Sequence, residues 1–475
     1  MNLGTTWADY QGGFGSMSAT ELSELNKALT MGSAINNPGA AAGEGFPLRV
    51  ESLENTLANL TFRERHVKLW RALPKRPAFN TVEEYNQLLS YGNRSGGGWV
   101  SETELPSESD STYRRNYATV KLMGVTRRVS LVSGLVRPAH GNILANETIS
   151  GTMELLKDVE KNLFFGDSSL DSIEWDGFEA QITAGAPAEN IIDMRGEPLT
   201  EEVLQDAALI IQDAPNYGTG THLFLNPKHL ADLSKISFPR MRTEMFGASG
   251  DGYLGVPVKG FTSIAGDVAF EPNVFLNETP GVGAASLDVR APAAPASVTS
   301  AVTTGVTGSK FIASDIGSYN YSVVAGNRYG KSAATALASA ASVAAAGSRV
   351  RLTITPTDAK ATYFEVYRTL KNGAAATVKR IKRIAANGAS AVTFDDLNLD
   401  LPGTAPAFFF QLDNDNMHFA QLAPMVKIPL ATVDPTYRWM QLLIGVPIMR
   451  SPGRNVLFKN VGRAAGSLAS PAVTL

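Results

Sequence analysis

Cysteine is absent from the 475 residues. Disulfide staples, thiolate zinc sites and a cysteine nucleophile are therefore excluded. Charge is sparse as well: Asp, Glu, Lys and Arg make up 18% of the chain, against roughly 25% in ordinary soluble domains. Net charge is −3 with no basic block, so reading of nucleic-acid sequence or tight phosphate binding is not expected. No apolar run approaches the about 18 residues of a membrane span, and the first residues show no charged-then-apolar targeting pattern. Synthesis and folding in a cytoplasm are expected, with no membrane partner and no removal of a pro-segment. What remains is a long chain rich in Gly, Ala, Ser and Thr. It is large enough for two to four structural units, and its composition suits a protein that buries much of its surface against partners.

Signatures of chemistry are also missing. The five histidines (His66, His140, His222, His229 and His418) show no recurring ligand spacing, although His222 and His229 flank a strand–helix junction. Gly281-Val282-Gly283 begins like a dinucleotide loop, but Ser286 and a Pro/Ala stretch follow where a helix is required. Asp413-Asn414-Asp415-Asn416 lacks the glycine and terminal glutamate of a calcium loop. Asp395, Asp396 and Asp400 read as solvated turn acids. No catalytic residue, cofactor site or metal site is assigned, and no enzymatic activity is expected.

One helix organises the rest. Over Asn142–Phe165 the residues Ile149, Met153, Leu156, Val159 and Leu163 recur at helical spacing. Glu147, Glu154, Lys157, Asp158, Glu160 and Lys161 fall on the other side. At 1.5 Å per residue the helix would be about 35 Å long. Residues 1–50 form an irregular arm with a helical patch near Thr20–Leu29, carrying Trp7, Tyr10 and Phe14 as anchors for a neighbouring chain. Thr61 with Glu64 predicts a helix over Phe62–Trp70, and Thr81 with Glu84 another over Val82–Leu89. Between Tyr91 and Ser111 three glycines lead into an acidic stretch, a long loop. Tyr113–Val132 alternates like strands, with Arg114, Arg115, Arg127 and Arg128 projecting. The loop and its flanking strand make a two-stranded finger.

Past the long helix, Ser168–Pro198 is loop-rich. Thr200 caps a helix over Glu201–Asp213, and Asn226-Pro227 starts a second over Lys228–Ile236. His222–Leu225 is a short buried strand, Pro239–Val256 a Gly-rich loop, and Val256–Ile264 and Val268–Leu276 are strands. Near Ser286 the composition changes to a Pro/Ala hinge and some 110 residues nearly free of helix signals. Alternating segments such as Arg349–Thr355 and Tyr363–Arg368, separated by turns such as Asn372-Gly373, predict a small β-sandwich. From Phe408 the earlier style resumes, so the sandwich is inserted. The fold class is α+β with an all-β insert.

This order of segments resembles the major capsid proteins of tailed bacteriophages, which share the Hong Kong 97-type fold. The similarity rests on Glu51–Ile143, with ESLENTLANLTFRERHVKLWRALPKRPAFNTVEEYNQLLSYG and GGGWVSETELPSESDSTYRRNYATVKLMGVTRRVS, and extends over Glu51–Asn277 and Phe408–Val461. It implies an N-terminal arm over 1–50 and a first part of the capsid fold over 51–285. Within that part it implies an extended finger (E-loop) near 91–129, a spine helix of the peripheral domain at 142–165 and an axial domain near 200–264. Residues 286–407 would be the inserted sandwich, similar to immunoglobulin-like or fibronectin type III-like modules with rearranged strand order, and 408–475 the C-terminal strands. Tyr91–Thr119 holds Arg94 and no lysine, so non-covalent locking is expected where some family members cross-link.

The resemblance implies pentamers and hexamers in an icosahedral shell around double-stranded DNA, within a virion assembled in a bacterial cytoplasm. Its partners would be further copies of the chain, with portal, scaffold and decoration proteins and non-specific contact with packaged DNA. Expected inter-subunit residues are Trp99, Glu102, Glu104, Glu108 and Asp110 on the finger, meeting Arg63, Arg65, Arg127 or Arg128 on a neighbour. An encapsulin-like nanocompartment shell is the alternative; a surface adhesin or tail component leaves Glu51–Asn277 unexplained.

Overall fold

A computed structural model describes residues 61–92, 98–135, 141–237, 258–264, 266–431 and 434–464. The arm over 1–50, its helical patch and the whole Gly-rich loop Pro239–Val256 lie outside the described residues. Two units divide the chain: residues 1–60 with 133–143, and residues 61–132 with 144–475. The second is described here.

Its strands run in chain order. They are β1 (Lys75–Pro77), β2 (Val82–Ser90), β3 (Thr112–Thr119), β4 (Lys121–Ser130), β5 (Ile191–Asp193), β6 (His222–Leu225), β7 (Gly260–Ser263) and β8 (Gly266–Pro272). Between Ser297 and Asp396 follow β9 (Ser297–Thr303), β10 (Gly317–Tyr319), β11 (Tyr321–Asn327), β12 (Gly330–Lys331), β13 (Thr335–Ala336), β14 (Ala341–Val343), β15 (Arg349–Thr355), β16 (Tyr363–Arg368), β17 (Lys379–Ala385) and β18 (Val392–Asp396). The chain closes with β19 (Ala405–Phe410), β20 (Met417–Pro429), β21 (Thr436–Met449) and β22 (Val456–Val461).

Three sheets build the body: β2 with β3; β1-β20-β21-β4; and β5-β22-β19-β6-β8-β7. The six-stranded sheet is apolar on both faces, which explains the unbroken run Phe408-Phe409-Phe410 in β19. Phe408 and Phe410 enter one core with Phe224 and Leu457. Phe409 enters the other with Leu223, Leu225, Val456 and Phe458. The helix Glu201–Gln212 supplies Leu204, Ala207, Ala208 and Ile211 to that second core. Thr200 caps it by accepting from the Val203 N–H at 3.5 Å. The next helix, Pro227–Ser237, starts with Asn226 accepting from the Lys228 N–H at 2.8 Å.

The long helix spans Ile143–Phe165; Val159 and Leu163 of the expected stripe are buried, but the rest of the buried face is Gly151, Leu155, Glu160 and Phe164. Ile149 is 61% exposed, and Met153 and Leu156 are only half-buried. The face turns because Gly151 lets the sheet approach; a Cβ there would stand 2.6 Å from the Gln441 amide oxygen. Gln441 in turn donates to the Thr148 carbonyl at 2.9 Å, tying β21 to the helix.

Other local signals were overridden. Val82–Leu89, expected as a helix, is strand β2, because its backbone groups pair with β3 from Val82↔Thr119 to Leu88↔Tyr113. The finger therefore begins at Val82 and not near Tyr91. Its far boundary also moves: β4, counted to the finger up to 129, pairs with β21 in the body sheet. The helix expected over Phe62–Trp70 shrinks to a 3-10 turn (Glu64–His66) and one turn at Leu69–Ala72. Within the loop-rich stretch 168–198, Phe178–Gly185 is a helix that buries Phe178 and Ile182.

Among the described residues the strands between Ser297 and Asp396 form sheets with one another, as β12-β11-β16-β17 with β13 beside β11, β18-β15-β9, and β10-β14, with one isolated bridge outward from Lys379 to Gly281. They share a separate core of Val323, Val350, Leu352, Ile354, Phe364 and Val366. Its two larger sheets are clamped by a buried network. Arg368 donates to Asp396 at 2.6 Å and to Asn398 at 2.7 Å, and the Tyr321 hydroxyl donates to Asp396 at 2.8 Å. Arg195, outside this region, donates to the Asn398 and Lys310 carbonyls at 3.1 and 2.8 Å.

Candidate assembly interface

The finger is a hairpin with two unlike faces. Period-two pairing puts Val82, Glu84, Asn86 and Leu88 beside Thr119, Tyr117, Arg115 and Tyr113, and all eight are exposed. Tyr113 is 70% and Tyr117 76% exposed. Glu84 and Arg115 pair across the strands. On the opposite face Tyr85 and Ala118 pack against the body's core, and burial pushes the Tyr85 phenol above its ordinary range. Asn116 donates to Gln87 at 2.7 Å, and Gln87 donates to the Arg450 carbonyl. The hairpin is thus held to the body by one face and leaves the other bare. Beyond the strands stand Tyr91 (87% exposed), Trp99 (95%) and Leu105 (92%). Large aromatics and aliphatics concentrated on one segment are the mark of a surface built to be covered.

The expected contact residues do not behave alike. Glu102, Glu104, Glu108 and Asp110 are exposed on the loop with Trp99. Arg63 and Arg65 are exposed at the 3-10 turn. Arg128 is exposed on β4, facing away from the long helix, beside Arg438 of β21. Arg127 is different: it pairs with Glu147 at 3.3 Å and with Glu154 of the long helix in the same chain. A neighbour would have to compete for it.

One polar residue of consequence was invisible in the sequence. Glu160, assigned to the solvent side of the long helix, is fully buried. Its carboxylate accepts from the backbone N–H groups of Lys68, Leu69 and Trp70 at 3.0, 2.8 and 2.8 Å, and from the Asn273 amide at 2.6 Å. It caps the short Leu69–Ala72 helix from 90 residues away in the chain. Burial raises its pKa above the usual carboxylate value, against the downward pull of the four donors. No local pattern could announce a cap supplied by another element.

The other polar candidates are structural. Asp413 accepts from the Asp415 and Asn416 N–H groups at 3.1 and 2.6 Å, a self-satisfied turn. His222 lies 2.9 Å from the Thr221 hydroxyl, while His229 is buried in its helix. Among the described residues no cluster of three His, Asp or Glu side chains could hold a metal ion.

No family model matches the chain. Similarity to curated proteins, however, runs along nearly its whole length. The chain is 29% identical to the major capsid protein of Staphylococcus phage S25-3 over 434 residues, covering 87% of this chain and 90% of that one. It is 27% identical to the putative major capsid protein of Enterococcus phage phiEF24C over 461 residues, covering 92% and 94%. Among solved structures, the capsid of a native GTA particle aligns with a TM-score of 0.45 at 9% identity, over 89% of this chain and 98% of that one. This similarity, over 87–92% of the chain, supports the class of tailed-phage major capsid proteins. The chain's place is the virion capsid.

Proposed function

We propose that copies of this chain assemble into pentamers and hexamers that close as an icosahedral shell around phage double-stranded DNA. The finger, Val82–Thr119 with its loop, is the E-loop that overlaps an adjacent subunit; Ile143–Phe165 is the spine helix of the peripheral domain; and the second core, on the Glu201–Gln212 helix, belongs to the axial domain. The role is structural and needs no cofactor. The observation that carries this reading is the finger's exposed face, on which Val82, Leu88, Tyr113 and Tyr117 meet solvent in the single chain. Overlapping elements bury more area per subunit than compact contacts, and symmetry repeats each contact around the shell. A nanocompartment shell would use the same elements, but the relatives aligned over nearly their full lengths are phage capsid proteins.

The 286–407 insert is an immunoglobulin-like or fibronectin type III-like module displayed on the outer surface, where it leaves the interior free for DNA. Beyond further copies of the chain, portal, scaffold and decoration proteins are the chain's partners. The test is electron microscopy of the purified chain and of Tyr113→Ser/Tyr117→Ser. Shells or rings from the parent, and their loss in a variant that still folds, support the reading; compact monomers from the parent overturn it.

A further inference from the structure

Low overall charge conceals one local imbalance. Residues 63–76, RERHVKLWRALPKR, hold six Lys or Arg and a single acid, Glu64. Lys68 pairs with Glu271 at 2.7 Å, and Arg76 lies 3.4 Å from Asp415. Arg63, Arg65, Arg71 and Lys75 form no ion pair among the described residues. The Lys75 ammonium instead donates to the Trp70 carbonyl at 2.8 Å and sits 4.5 Å over the Trp70 ring. Partial burial lowers its pKa. Here the surface opens into a cavity of about 260 Å³ lined by the apolar Val67, Trp70 and Leu156 and by Arg71, Lys75 and the segment's single acid, Glu64.

The finger loop carries the complementary set. Between Gly98 and Ser111 it has four acids, Glu102, Glu104, Glu108 and Asp110, and no Lys or Arg. None of the four forms an ion pair among the described residues. Trp99 and Leu105, the most exposed large apolar residues of the loop, stand beside them. A segment with four cations outside any ion pair, two of them lining the cavity beside Glu64, and a loop with four uncompensated anions around two bare apolar side chains match in net charge and in chemistry.

We infer that the acidic loop of one copy docks on the Arg63–Arg76 segment of another, with Leu105 entering the cavity against Trp70 and the acids facing Arg63, Arg65, Arg71 and Lys75. The inference rests on the assembly reading above and gives it a specific seat; it also replaces Arg127, already held by its own helix, as the acids' partner. The size of the seat suits one aliphatic side chain with neighbouring backbone. Trp99 covers the outer edge of the contact.

The absence of cysteine makes the test direct. Two single-cysteine proteins, Leu105→Cys and Ala72→Cys, are mixed, assembled and treated with a short bis-maleimide. The expected product is a covalent species containing one chain of each kind, which neither protein gives alone. A charge-swap arm accompanies it. Reversing Glu104 and Glu108 to Lys should weaken association about tenfold, and adding Arg63→Glu with Arg71→Glu in the same chain should restore it. Shells without the mixed cross-link and without charge rescue would overturn the docking while leaving the capsid reading intact. Failure of the cysteine-free parent to assemble would instead count against that reading.

Discussion

Replacing Glu160 with alanine should be among the most damaging single changes to the isolated subunit. The side chain is fully buried and accepts four hydrogen bonds, three from backbone N–H groups at the start of the Leu69–Ala72 helix and one from Asn273. Alanine leaves these donors without an acceptor, and each buried unsatisfied donor costs about 1–3 kcal/mol. The Lys68 N–H lies closer to solvent and can find water, so three donors dominate. Water entering the vacated space offsets part of the loss, as does relief from burying a carboxylate whose pKa is already raised. The net expectation is a loss of about 3–5 kcal/mol, typical of a broken buried polar network. Glu160→Gln keeps one acceptor oxygen but turns an N–H group toward other donors, so it should lose about half as much. Denaturant titration of unassembled protein, followed by tryptophan emission because Trp70 and Trp175 share the affected core, reads both values. A loss below about 1 kcal/mol for Glu160→Ala would refute the capping argument.

Three further outcomes follow from the same structure. His418 is buried and its pKa is lowered to about 4, first by desolvation and then by Arg450 and Arg76. A depressed folded-state value means its contribution is present above pH 6.5 and is lost as the pH falls toward 4. Parent protein should therefore lose up to about 3 kcal/mol over that window, and His418→Gln should flatten the acid limb of a stability–pH titration. Arg368→Ala leaves Asp396 buried without its cation and should cost the β9–β18 region about 3–5 kcal/mol, seen by calorimetry as a lowered transition for that region, the body's transition unmoved. Arg127→Ala removes two partly exposed pairs and should cost about 1 kcal/mol in total while leaving assembly, followed by sedimentation, as in the parent.

The sequence carried some of this fold openly and hid the rest for identifiable reasons. Helical periodicity located Ile143–Phe165 within one residue. It placed Val159 and Leu163 correctly but missed the rest of the buried face, because Gly151 and Glu160 owe their burial to contacts with Gln441 and the Leu69–Ala72 helix, distant in the chain. Thr200 and Asn226-Pro227 were legible caps since their partners lie within three residues. The similar signal at Thr81 and Glu84 misled, because pairing with β3 outweighed a weak local preference. Exposure of the finger's aromatics could not be read at all, since Tyr113 and Tyr117 fit a buried strand equally well. The cationic run over 63–76 was in plain view, but averaging charge over the whole chain concealed it.

The most direct test of the central claim is an image reconstruction of the assembled particle. The account predicts a closed icosahedral shell in which each Val82–Thr119 hairpin lies across an adjacent subunit with Tyr113 and Tyr117 covered. Particles in which that face stays bare to solvent, or a protein that remains a compact monomer at every concentration tried, would contradict it.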